Sequence, residues 1–198
     1  MKKIILTILI IFMVFSGNIS AEDLDNQEKT ISINFDFTRK FGLASNQFAV
    51  WVENGKGMLV KNLFVTDFTA GKGWEKRPES LPLWRKALKA AGIDGISSAT
   101  PKSEKVQAVK ETGIDGISSA TPKSGKIQLE WDIKNENGGL VGKGTYKICI
   151  EANIKWENTV LFTCEIKIDD NITLGEITEK ISGKGYDKQK LITNVEIK

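Results

Sequence analysis

Apolar and polar residues alternate toward both ends of the chain, and the alternation is lost in its middle. Ile31, Ile33, Phe35 and Phe37 are separated by polar residues, which is the period of a half-buried strand. A second strand is predicted over 48–52 and a third over 58–68, and the Asn54-Gly55 step between them marks a hairpin. Alternation resumes at Ile127, Leu129 and Trp131. Tyr146, Ile148, Ile150 and Ala152 then share one strand face, and Val160, Phe162, Cys164, Ile166 and Ile168 share the next, with 154–159 as their connection. Weaker strands are predicted over 171–182 and 191–197. Between the two β-rich parts, Leu83, Trp84, Ala87, Leu88 and Ala91 repeat at helical spacing. Ser80 is the candidate N-cap, Pro82 falls in the first turn, and Gly92 supplies the stop. A second short helix is expected over 103–112. The pattern predicts a mainly β fold, an immunoglobulin-like or fibronectin-like antiparallel β-sandwich, with a short helical and loop insertion at about 74–125.

The first residues follow a different logic. Lys2, Lys3, the apolar run 4–15 and Ile19-Ser20-Ala21 have the three-part form of a secretory signal peptide. Residues 1–21 are therefore expected to be removed, leaving 22–198 as a single domain that is periplasmic or otherwise extracytoplasmic. The apolar run is short for a membrane span, so the cleaved protein is expected not to cross a membrane. A net charge of +3 with interspersed signs lacks the basic stripe of a nucleic-acid binder. The chain has no histidine, which removes imidazole as general base, metal ligand and pH switch. Two cysteines cannot make a four-thiolate metal site. The remaining acid–base candidates, Asp67, Glu75 and Asp94, show no pairing, so no catalytic set is assigned and an independent enzyme is not expected.

Secretion makes a Cys149–Cys164 disulfide thinkable. Aligning the apolar faces of the two strands sets the sulfurs on opposite sides of the sheet. Burial of several large side chains, about 1.5–3 kcal/mol each, outweighs one optional bond. Free thiols are expected.

One stretch is present twice. Gly92–Ser103 reads GIDGISSATPKS, and the same twelve residues recur at Gly113–Ser124, with Ala87-Leu88-Lys89 and Ala108-Val109-Lys110 preceding the two copies. Two units are too few for a solenoid, so the pair is read as one local duplication within a domain.

Several blocks together, FAVWVENGKGMLVKNLFVTDF, GWEKRPESLPLW, the DGISSATPKSG unit, EWDIKNENGGLVGKGTYKICIEA and ITLG, resemble the bacterial predicted-periplasmic family known as domain of unknown function 2271. The resemblance spans about 31–198, and the family pattern has one such unit where this chain has two. The stretch from Trp131 to Tyr146 is also similar to the immunoglobulin-like domain of the flagellar hook-capping protein. These resemblances imply a compartment and a sandwich fold, and no activity.

The repeated segments Asp94-Gly95-Ile96-Ser97-Ser98-Ala99-Thr100 and Asp115–Thr121 resemble the site at which an extracytoplasmic flavin transferase attaches FMN, as in the FMN-bearing subunits of sodium-pumping NADH:quinone reductase and the Rnf complex. The resemblance implies Thr100 and Thr121 as acceptors, Asp94 and Asp115 as residues read by the transferase, and Ser97 and Ser118 as the hydroxyl position of the pattern. Lys102 and Lys123 would face the phosphate. It further implies covalent FMN as cofactor, with a flavin transferase and a membrane redox partner. Pro101, Pro122, Ser98 and Ser119 depart from the usual residues of that motif. The alternative is a turn-rich connection copied without consequence, in a cofactor-free immunoglobulin-like binding or assembly module. Trp74, Arg77, Pro82 and Trp84 would either wall a flavin ring or serve as packing and surface residues. Asp132, Asn135 and Asn137 form an oxygen-rich loop that is either a calcium site or a plain turn.

Overall fold

A computed structural model describes residues 29–41, 46–93, 118–119 (backbone), 121–153, 158–183 and 190–198. The expected signal peptide over 1–21 and the predicted helix over 103–112 lie outside the described residues. Among the described residues nine strands fall into two sheets: β1 (Ile31–Phe37), β2 (Gln47–Asn54), β3 (Leu59–Thr66), β4 (Ser118–Ser119), β5 (Gly125–Trp131), β6 (Gly144–Asn153), β7 (Thr159–Ile168), β8 (Ile172–Ser182) and β9 (Ile192–Ile197). The smaller sheet has the order β5-β1-β9, and the larger β4-β3-β2-β6-β7-β8. All pairings are antiparallel except that of the two-residue β4, which runs parallel to β3. The expected antiparallel sandwich is thus present, with one short parallel edge.

The alternation of β1 is realised directly, because Ile31, Ile33, Phe35 and Phe37 point into the space between the sheets. Phe48 lies at the centre of that space. Its ring stacks on Phe64 at 4.6 Å, meets Phe35 edge-on at 5.8 Å and lies 5.0 Å from Phe37. Offset and edge-to-face contacts of this kind suit the aromatic quadrupole and add to the area buried. Trp131 closes one end of the layer, with its Nε1 donating to the Lys134 carbonyl at 2.9 Å.

The strand β2 is buried on both faces, which explains why FAVWV does not alternate. Phe48, Val50 and Val52 face the inter-sheet core. Ala49 and Trp51 face a second apolar layer, formed with helix α2 (Pro82–Ala90) through Trp84, Ala87 and Leu88. The predicted helix is therefore correct, and it forms a third layer on the outer face of the larger sheet.

Two sequence expectations are corrected. The predicted third strand ends at Thr66, and Asp67–Ala70 forms a short helix, α1. The expected β2–β3 hairpin is present, with its left-handed residue at Gly57 (φ 73°) and the Asn54 side chain accepting the Lys56 and Met58 amides. Ser80 does not cap α2, because its Oγ lies 2.7 Å from Thr69 Oγ1 and is used there. The N-cap is Leu81, held in a left-handed conformation (φ 45°) that an L residue adopts only at a cost, with its side chain fully buried. The C-terminal stop is as expected: Gly92 has φ 73°, and the Ile93 amide returns to the Leu88 carbonyl at 3.1 Å.

Candidate functional site

The larger sheet brings the second repeat copy to its edge. Ser118 and Ser119 pair with Val65 and Thr66, so the Ser-Ser step of the motif is taken up as β4. The chain then crosses to the smaller sheet through Thr121, half-buried, Pro122, buried, and Lys123, exposed. Ser124 Oγ accepts the Arg39 amide at 2.9 Å and fixes the far end of this crossing. The second copy is therefore anchored at both ends of the crossing. Asp94, Ser97, Thr100, Lys102 and Asp115 lie outside the described residues.

Beside β4, the helix α1 packs against the sheet edge. A buried polar cluster joins them to the start of β2. Thr66 and Thr69 both donate to Gln47 Oε1, at 2.5 and 3.0 Å, and Thr69 meets Ser80. Thr66, Thr69, Gln47 and Ser80 are all buried. Hydroxyls in such a place are tolerated because each has a partner, and the cluster fixes the loop from α1 to α2 against β2.

The start of α2 is held by the sheet beneath it. Glu151, 0% exposed, accepts the Leu83 amide at 3.2 Å and the Trp84 amide at 2.8 Å. Asn153 Oδ1 accepts the Leu81 amide at 2.8 Å. A helix N-terminus favours negative charge, yet burial is the larger influence and pushes the Glu151 carboxyl up to about 7, with the two amides and Arg85 opposing the rise. Farther along α2, Trp84 Nε1 donates to Asn62 Oδ1 at 2.7 Å, and Asn62 in turn donates twice to Glu136. Sequence reading missed Glu151, since Lys147, Cys149 and Glu151 alternate with apolar residues and look like a solvent face. The unbroken apolar run in β2 was the available signal that both faces of the sheet are covered.

Of the two readings of Trp74, Arg77, Pro82 and Trp84, the packing one holds for Trp84 and Arg77. Trp84 is buried in the second layer, and Arg77 lies over the Phe68 ring at 4.8 Å. Trp74 remains half-buried, edge-on to Trp84 at 6.1 Å. The loop of Asp132, Asn135 and Asn137 resolves as a turn, because Asn135 Oδ1 accepts the Asn137 and Gly139 amides at 2.9 and 3.1 Å and Asp132 Oδ1 accepts the Lys134 amide at 3.2 Å. Among the described residues no group of three His, Cys, Asp or Glu side chains could hold a metal ion. No helix among them is long and apolar enough to cross a membrane.

The family model described as "Predicted periplasmic protein (DUF2271)" matches residues 28–112 and 102–189. The chain belongs to this family. The two matched segments overlap within the duplicated region, as an extra copy of one unit would produce. Family membership places the protein in the periplasm and carries no activity with it. No curated protein matches the chain, and no solved structure does.

Proposed function

We propose that this periplasmic protein is an electron carrier with FMN in phosphoester linkage to Thr100, Thr121 or both. The observation that carries the reading is the pair of intact DGISSAT segments in a histidine-free chain. In the attachment step, a threonine Oγ forms a bond to the flavin-side phosphorus of a flavin dinucleotide. The bond to the nucleotide half breaks, that half leaves with the electron pair, and the hydroxyl proton passes to base. A flavin transferase performs this step, and the attached flavin then exchanges electrons with a membrane partner. The protein contributes position and environment while the cofactor supplies the redox chemistry. Position is available for the second copy, because Thr121 lies between the β4 pairing and buried Pro122, with Lys123 exposed two residues on. Asp94, Asp115, Ser97, Ser118 and Lys102 keep the roles that the motif resemblance gives them.

Intact-mass measurement tests the reading. Secreted together with an active flavin transferase, the protein gains one or two FMN adducts. Thr100→Ala and Thr121→Ala each remove one adduct if both sites are used, and the double variant removes all label. An unmodified mass from cells with an active transferase would falsify the electron-carrier reading.

A second reading is a cofactor-free binding or assembly module. It is favoured by β8, an eleven-residue strand that pairs with β7 on one side and leaves Ile177 and Ile181 37% and 41% exposed. Unpaired edges of this kind are templates for strand addition.

A further inference from the structure

A groove of about 380 Å³ runs along α2, between the helix and the turn that carries Trp74. Its apolar surface includes Leu88, Ile93 and the Trp74 indole, and its polar surface is Arg85, Lys86 and Lys89. Among the described residues no carboxylate lines it. Three cations and an indole facing one space make a site for a ligand that is both planar and anionic. The guanidinium of Arg85 gives the strongest indication. It lies over the Trp74 ring at 6.0 Å, and its Nη2 donates to the Pro78 carbonyl. Its Nε is buried with no hydrogen-bond partner among the described residues. A buried donor left without an acceptor is costly, so an acceptor from a ligand in the groove would recover that cost.

We propose that this groove is the binding site of a flavin mononucleotide. The isoalloxazine ring rests against Trp74 and the apolar floor, and its carbonyl edge or phosphate meets Arg85, Lys86 and Lys89. The inference rests on the electron-carrier reading for the identity of the ligand. It is independent of which threonine carries the flavin. Of the residues considered as a flavin wall, Trp74 stays, while Trp84 and Arg77 give way to Arg85 and the two lysines.

The test separates the two readings. Intact mass of the co-expressed protein decides attachment. In the flavinylated protein, stacking on Trp74 quenches flavin fluorescence relative to free FMN, and Trp74→Leu restores emission at unchanged FMN mass. Equal emission from wild type and Trp74→Leu, with FMN attached, overturns the groove and leaves the electron carrier standing. If no FMN is attached, the unmodified chain is titrated with riboflavin 5′-phosphate up to about 1 mM, the effective concentration that a short tether supplies. Saturable quenching that Arg85→Gln weakens by about tenfold, the worth of one charge-assisted hydrogen bond, supports the groove alone. Absence of saturable quenching overturns it. Lys86 and Lys89 are exposed, so Lys86→Gln/Lys89→Gln folds normally. This double variant weakens riboflavin 5′-phosphate and leaves riboflavin binding unchanged. Equal effects on both ligands would remove the anion from the proposal.

Discussion

Toward the smaller sheet the larger one presents Phe48, Val50, Phe64, Ile148, Ile150 and Phe162, all apolar, while toward α2 the same strands present Asn62, Glu151 and Asn153 among Ala49, Trp51 and Val65. The first layer is held mainly by burial, and burial has no direction. The second layer adds hydrogen bonds with fixed partners, and these determine where along the sheet the helix begins. A polar group in such a layer stabilises only while it is paired. The two layers should therefore fail differently: the first in proportion to volume removed, the second according to which partner is left behind.

The largest effect is expected in the dry layer. Phe48 touches three other rings, so Phe48→Ala should cost about 3–5 kcal/mol through lost burial and the cavity left behind. Urea unfolding reads this as a lowered midpoint. A cost below about 1.5 kcal/mol, the range of a tolerated hydrophobic swap, would mean that Phe48 is not the centre of the core.

The polar layer should instead show pH dependence. Glu151 titrates near 4.5 when unfolded and at about 7 when folded, with burial as the main cause. Between these values the native state keeps a proton that the unfolded state has lost. Stability from this group is complete below about pH 4.5, falls as pH rises to about 7, and is flat above; the whole change is about 3 kcal/mol. Glu151→Gln should remove this slope, read as the wild-type minus variant difference in unfolding free energy across pH 4 to 8. An unchanged slope would mean that another group carries the dependence. A smaller effect follows at Trp84. Replacing it with Phe keeps most of the ring but leaves Asn62 Oδ1 buried without its donor, for about 1–3 kcal/mol by the same denaturation measurement.

This contrast also explains what could be read from the sequence. The inter-sheet layer was legible because alternation in β1, β5, β6 and β7 depends on a simple period. The helix α2 and its Gly92 stop were legible for the same reason. The layer between α2 and the sheet was not, because Glu151 and Asn153 on β6 look like solvent-facing positions until a helix from elsewhere in the chain covers them. Ser80 misled because a serine before a proline-started helix usually caps it, and here Thr69 takes its hydroxyl while a carboxylate from another strand supplies the cap. In the candidate site, the motif supplies the proposed acceptors, but no local pattern shows that Ser118-Ser119 would join β3 or that Arg85, Lys86 and Lys89 would face Trp74 across a groove.

The smallest effect concerns the two thiols, one in each layer. Cys149 is paired across the sheet with Thr163 and Cys164 with Ile148, so the sulfurs lie on opposite faces and both cysteines are free, as the aligned apolar faces predicted. Burial pushes both thiols up, and for Cys149 the Glu53 charge adds to the rise. Since the thiolate is the reactive form, both should resist alkylation in the folded protein. They should not resist equally. Cys149 lies on the central strand β6, under the helix layer, whereas Cys164 lies on β7 opposite Ile177 of the edge strand β8, which has a pairing partner on one side and a bulge between Cys164 and Ile166. Edge strands open at lower free energy than central ones. In a timed alkylation read by peptide mass, Cys164 should label before Cys149, both should label at once in denaturant, and the unfolding midpoint should be unchanged by the Cys164 label only if β8 adds little to the fold. Labelling of Cys149 first, or a peptide in which the two are joined, would show that the register or the helix layer differs from the one described.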